Sequence, residues 1–171
     1  MDLTQLAKER YSVRKFAGKP VEEEKLLAAL EAGNLAPTAK NQQPQRIYVI
    51  RSAENLQKIR GLTQCHYGAP VILLFAYDAA EQWQNPLEPG VCSGQQDVSI
   101  AATHIMLKAS ELGLGTVWVN MFPPTETKRV LGLPQNEIPV LLMPIGYPAP
   151  DAAPSPRHAQ RKPLCDTVKF I

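Results

Sequence analysis

Arg10, Ser12 and Arg14 alternate near the start of the chain, and alternation puts side chains on one side of an extended backbone. Two guanidinium forks flanking a hydroxyl can cradle a phosphate or another planar anion. The same residues would also serve as a solvated basic turn. A second segment, 36–45, carries Thr38, Asn41 and Gln43 but little to bury. Its amides donate and accept, which suits a heterocycle with carbonyls and ring nitrogens, or an ordinary polar loop. In a third segment, Gly113 and Gly115 flank Leu114. Glycines admit close approach of backbone to a flat ligand, and they also end helices. Arg161 and Lys162 form a fourth, in a tail that solvent alone could explain.

The remaining reactive side chains are scattered. His66, His104 and His158 lie far apart, and His104 falls inside an apolar helical stretch, as expected of a core histidine. Cys65 adjoins His66, but no orienting third group is evident, so no nucleophilic dyad is expected. No catalytic side chain and no metal-ligand spacing stands out.

The elements that must position these segments follow from hydrophobic periodicity. A short helix is expected up to about residue 9, with Leu3, Leu6 and Ala7 on one side. A stronger helix is expected over 20–32, with Pro20 at its first position, acidic residues 22–24 at its positive end, and Gly33 closing it. Leu26, Leu27 and Leu30 supply its buried stripe. Strands are expected over 47–50, 71–77, 116–119 and 140–145, and Ser52 should cap a helix carrying Leu56 and Ile59. A helix over 97–112 is apolar on nearly every side, which buries it in the core or against a partner. A further helix is expected over 125–131. The stretch 82–94 reads as a short loop, and residues 167–171 could add a strand.

These elements give an α+β domain with one mostly antiparallel sheet of four to five strands, flanked by helices. The 171 residues fit a single domain, with 147–171 as an extended arm holding five of the sixteen prolines. A net charge of +2 without a basic run argues against nucleic acid. No targeting segment or membrane span is read from the sequence, and three widely spaced cysteines suit a reducing cytoplasm. No GxGxxG or GxxxxGK[ST] turn follows a strand, so neither dinucleotide-fold nor P-loop chemistry is supported.

In order and spacing, the four segments resemble the nitroreductase family. Arg10, Ser12 and Arg14 match its Arg-x-Ser-x-Arg/Lys segment. Ala36, Pro37, Thr38, Asn41, Gln43 and Pro44 match its second stretch. Residues 97–116 match its buried helix ending in Gly-Leu-Gly-Ser/Thr, and residues 161–164 match its Arg/Lys-Lys-Pro-Leu tail. The resemblance covers nearly the whole chain.

It implies a homodimer with an FMN in each of two interface sites, in which an exchanged tail would carry a C-terminal strand over 167–171 onto the other subunit's sheet edge. Arg10, Ser12 and Arg161 would hold the phosphate and ribityl chain, with Lys162 nearby and Tyr11 acting through its backbone. Arg14 would stand at the pyrimidine edge, where a cation stabilises the charge that reduced flavin carries near N1. Pro37, Thr38, Asn41 and Gln43 would approach the flavin from one or other subunit, and Leu114 and Gly115 would approach its ring. The chemistry would be carried by flavin N5: NAD(P)H delivers hydride and leaves, and a nitroaromatic or quinone is then reduced on the same face. A flavin-holding or sensory module, a specialised reaction such as reductive dehalogenation or flavin destruction, and a protein binding no flavin are the alternatives. Gln45 stands where relatives often carry an aromatic, and Cys165 where they often carry an acid. The short 82–94 stretch implies an open site with loose substrate choice, or a large acceptor.

Overall fold

The computed structural model describes residues 2–171. Asp2 caps α1 (Leu3–Glu9), its carboxylate accepting the Gln5 N–H at 2.9 Å. The chain continues through α2 (Glu23–Asn34), β1 (Gln45–Ile50), α3 (Ala53–Leu62), β2 (Val71–Asp78), α4 (Gly94–Glu111), β3 (Gly115–Thr116), α5 (Pro124–Leu131), β4 (Glu137–Gly146) and α6 (Leu164–Thr167). The four strands form one sheet in the order β1-β2-β4-β3, every neighbouring pair antiparallel. This is the α+β architecture expected.

The sheet is covered on both faces, which is why β2 reads as a continuous apolar run rather than an alternation. Leu73 and Phe75 of β2 join Leu141 and Met143 of β4 beneath α2 and α4, where Leu26, Val98 and Ile105 complete the layer. Their neighbours Ile72, Leu74 and Leu142 point the opposite way, onto Leu56 and Ile59 of α3. Ser52 caps α3 as expected, accepting the Asn55 N–H.

Several expectations need correction. α2 starts at Glu23, because residue 22 is still extended (φ −63, ψ 137), so Pro20 lies outside the helix. It runs through Gly33 instead of stopping there. Gly33 faces α4, where an added Cβ would stand 2.6 Å from Ile105 Cδ1. Leu26, Ala29 and Gly33 form the buried stripe, while Leu27 is 55% exposed. α4 begins three residues earlier than expected, and its apolar surround is incomplete: Ile100 is exposed and His104 is half-buried, not a core group.

The strand expected over 116–119 is cut to Gly115–Thr116 and resumes only as a bridge between Val119 and Leu142. Pro144 explains the gap. Val117 donates to the Pro144 carbonyl at 3.3 Å, but Pro144 has no N–H to return the bond. Residues 167–171 form no strand in this chain; Thr167 ends the short α6, and Phe170 and Ile171 are fully exposed. No helix among the described residues is long and apolar enough to cross a membrane.

Where β4 gives way to the arm, Tyr147 fastens the exit to the start of α2. Its hydroxyl accepts from Lys25 Nζ at 2.8 Å and donates to the Glu22 carboxylate at 2.6 Å. That donation, followed by the residue's own backbone N–H and then Lys19, holds the Glu22 carboxyl down to about 2. A carboxyl depressed in the folded state contributes stability above its ordinary value and loses it as pH falls towards the folded one. Tyr147→Phe should therefore be less stable than wild type at neutral pH, with the gap closing between about pH 4.5 and about 2, as followed by urea unfolding across that range. Gly33→Ala should lose about 1–3 kcal/mol through overpacking against Ile105, read as a lower urea midpoint with unchanged slope.

Candidate functional site

Arg10 is the C-cap of α1 and already extended (φ −61, ψ 127), so the chain leaves the helix as a strand-like segment along the sheet edge. Ser12 makes a parallel bridge with Thr116, and the Val13 N–H donates to the Thr116 carbonyl at 2.9 Å. The expected alternation results. Val13 is 1% exposed and points into the core, while Ser12 and Arg14 face the other way.

Arg10, Tyr11, Ser12 and Arg14 line one wall of a 280 Å³ cavity, and Ser155, Arg157, His158 and Arg161 of the arm line the other. Tyr11 holds the two walls together. Its hydroxyl donates to the Ala152 carbonyl at 3.4 Å, its ring meets His158 edge-on, and His158 Nε2 lies 3.0 Å from the Lys8 carbonyl. The Tyr11 side chain thus has a structural role of its own, beside the backbone role expected of the residue. Arg161 is turned by donating to the Gln160 carbonyl at 2.8 Å, and Arg14 by donating to that of Ser12 at 3.3 Å.

Four arginines therefore line one cavity. Elsewhere Arg46, Arg51 and Arg129 each meet a carboxylate, but among the described residues none of these four is in an ion pair. Burial, and then the nearby charge of Arg161, depress the Arg10 pKa. Both causes disfavour the free cation, and an anion in the cavity would relieve them. Lys162 is exposed and is not part of either wall.

A second cavity of 160 Å³ adjoins the first through Arg10 and Tyr11, and Gly113, Leu114, Gly115 and Thr116 form its floor. The Gly115 requirement has a packing cause, because a Cβ there would stand 2.5 Å from Val13 Cγ2. Gly113 adopts φ 77 to end α4.

Pro37, Thr38, Asn41 and Gln43 lie elsewhere. The Ala39 N–H donates to Asp97 Oδ1 at 3.0 Å, which seats this turn at the first turn of α4, whereas Gly113 follows its last. At about 1.5 Å per residue the 18-residue helix separates the two groups by about 27 Å. The turn is conformationally demanding: Lys40, Asn41 and Gln43 all have φ between 50 and 56. Each such residue costs of order 1–3 kcal/mol and persists only where its surroundings over-determine it. Thr38 Oγ1 accepts the Gln43 N–H at 3.0 Å, and Gln43 Nε2 donates to the Asn41 carbonyl.

Cys65 and His66 form no dyad, since His66 Nδ1 accepts the Gly68 N–H at 2.9 Å within its own turn. The sequence reading missed Ser155, Arg157 and His158. Their only local signal is a basic pair between prolines, and their partners lie some 145 residues away.

Comparison with known proteins identifies the family. The family model described as "Nitroreductase family" matches residues 7–66 and 57–147. A Methanothermobacter thermautotrophicus protein that carries the name NADH dehydrogenase/NAD(P)H nitroreductase is 34% identical over 159 residues, covering 87% of this chain and 78% of its own. A solved nitroreductase family protein from Clostridium difficile 630 superposes with a TM-score of 0.92 at 36% identity, covering 99% and 98% of the two chains. A nitroreductase from Desulfovibrio desulfuricans, solved in complex with FMN, superposes at 0.82 with 25% identity over 100% and 97%. The chain belongs to the nitroreductase family.

Proposed function

We propose that this protein is an FMN-dependent oxidoreductase that takes hydride from NAD(P)H and reduces nitroaromatic or quinone-type acceptors. The observation that carries the reading is the cavity lined by Ser12 and four arginines, none of which is in an ion pair among the described residues. A phosphate monoester dianion matches that donor set in charge and in hydrogen-bond geometry. Arg10, Ser12 and Arg161 hold the phosphate, and the backbone of Leu114 and Gly115 lines the adjoining space. Arg14 extends towards the ring's pyrimidine edge. When bound, FMN supplies hydride acceptance and delivery, in two half-reactions that share one face. The protein's own part is to bind, orient and exclude water, so no acid–base side chain is needed.

The second half of the site, Pro37 to Gln43 in sequence, belongs to the other end of α4. One FMN is shorter than the separation of about 27 Å, so a homodimer in which the partner supplies that turn completes the site. Exposed Leu27, Leu35 and Ile100 provide apolar surface for such an interface, and the arm with Phe170 can cross to the partner as an exchanged tail. Residues 1–171 act as one FMN-binding domain, and the cytoplasm supplies the reduced nicotinamide.

Three measurements test this. Purified protein should bind FMN, and Arg10→Gln should weaken binding roughly tenfold to a hundredfold, as loss of about 1.5–3 kcal/mol of charged hydrogen bonding requires. Unchanged affinity would remove Arg10 from the phosphate site. Anaerobic mixing of the FMN-loaded protein with NADH or NADPH should bleach the flavin, and a nitroaromatic or quinone should restore its absorbance. Failure to bleach with both donors would leave a flavin-holding module in place of a reductase. Deleting residues after Pro163 should weaken the dimer on sizing; an undiminished dimer refutes the exchanged tail.

A further inference from the structure

We propose that Asp97 is a positioning residue that joins the 38–43 turn and the 82–93 segment into one unit, so that a ligand seated on the turn orders the segment. The proposal rests on the flavin reading above for the identity of that ligand. Asp97 is 3% exposed, and among the described residues its carboxylate enters no ion pair. Its two oxygens are committed to two different parts of the chain. Oδ1 accepts the Ala39 N–H at 3.0 Å, and Oδ2 accepts the Ser93 hydroxyl at 2.7 Å.

Ser93 carries the connection onward. Its Oγ accepts the Trp83 N–H at 3.2 Å, and its own N–H donates to the Trp83 carbonyl at 3.0 Å. Gln82 Oε1 accepts the Gly94 N–H at 3.3 Å, a second tie between the same segments. The helix start packs closely on β2, where a Cβ on Gly94 would stand 2.4 Å from the Tyr77 ring.

A buried carboxylate is retained only where its lone pairs are used, and the first turn of α4 adds the positive end of the helix dipole. A cap needs one oxygen directed at its own helix. Here one oxygen meets Ser93, the helix's own N-cap, and the other leaves the helix for a turn that holds three non-glycine residues at positive φ. Beyond the bonds within the turn, Asp97 braces it from outside. Coupling is reciprocal: if the turn's conformation is linked to that of 82–93, occupancy of one biases the other.

Hydrogen exchange of the Ala39 and Trp83 amides in the full-length protein, with and without FMN, tests the coupling. FMN should slow both amides in wild type by about fivefold or more, the lower end of common coupling strengths. Ser93→Ala should keep the FMN-dependent slowing at Ala39 and lose it at Trp83. Asp97→Ala should lose it at both, while Asp97→Asn, whose carbonyl and amide can span the same two partners, should recover most of it. Equal FMN-dependent slowing of Trp83 in Ser93→Ala and wild type overturns the proposal, as does FMN binding to wild type with no slowing at Trp83. The flavin reading survives both results. Absence of FMN binding to wild type sinks the flavin reading instead, and the free protein then decides the brace. There Asp97→Ala must speed exchange at both amides and Ser93→Ala at Trp83 alone; any other pattern refutes it. Should Asp97→Ala fail to fold, Ser93→Ala decides by itself.

Discussion

Burial of α4 fixes the places from which the candidate site is built. Val98, Ala101, Ala102, Ile105 and Ala109 face the sheet or α2 with no exposed surface, and Gly33 lets α2 approach Ile105 more closely than a side chain would allow. A helix packed in this way cannot slide or turn without opening cavities on several sides. Its ends still carry backbone groups that the helix cannot satisfy. At the C-terminal end, Lys25 Nζ donates to the Leu112 carbonyl, and the Leu114 N–H returns to Ala109. At the other end, Gln82 Oε1 accepts the Gly94 N–H at 3.3 Å. The two candidate groups of site residues hang from these two fixed ends, which is how a site gains accuracy from its scaffold.

The electrostatics of the cradle run against the rest of the molecule. Arg46 illustrates the usual pattern, with Glu81 at 2.6 Å and Asp78 at 3.3 Å, and those acids raise its pKa, Glu81 most of all. At Arg10 the direction is reversed, through burial and the neighbouring Arg161. Leaving the Arg10 cation half-buried beside a like charge disfavours the empty fold. A ligand that binds only the folded state returns that free energy as stability, in proportion to the logarithm of its concentration over its Kd. Half of the cradle comes from the arm, held to the body chiefly through Tyr11, His158 and the Lys15–Asp151 pair. An anion bridging both walls would therefore also fasten the arm.

The layered core could be read from the sequence because burial leaves a direct trace in composition. β2 shows it as an unbroken apolar run, and α3 through Ser52, Leu56 and Ile59. Elsewhere tertiary contacts override local pattern. Gly33 looks like a helix stop, yet its missing side chain serves the packing of α2 on α4. Pro144 lies in β4 but shortens β3, an effect that requires knowing which strands pair. The alternation of Arg10, Ser12 and Arg14 makes them candidate anion ligands from spacing, and Arg161 becomes one only through family likeness. Arg157 and His158 are not legible in this way, because only the return of the arm past Tyr11 brings them to the same cavity.

The division of the site along α4 bears on why two chains would associate at all. Segments 10–14, 113–116 and 155–161 gather at one end of the helix, and segment 38–43 at the other. Within one chain no rearrangement short of unpacking α4 could bring them together, since its length is set by a core that tolerates no slack. A cofactor that needs both groups must find the second on another copy, with α4 running the opposite way. Two-fold symmetry meets that condition, because an isologous interface places each end of one element against the complementary end of its mate. Leu27 at 55% exposure, with Leu35 and Ile100, gives such an interface its apolar area, so the residues that fit the core pattern poorly are those that a second subunit would cover.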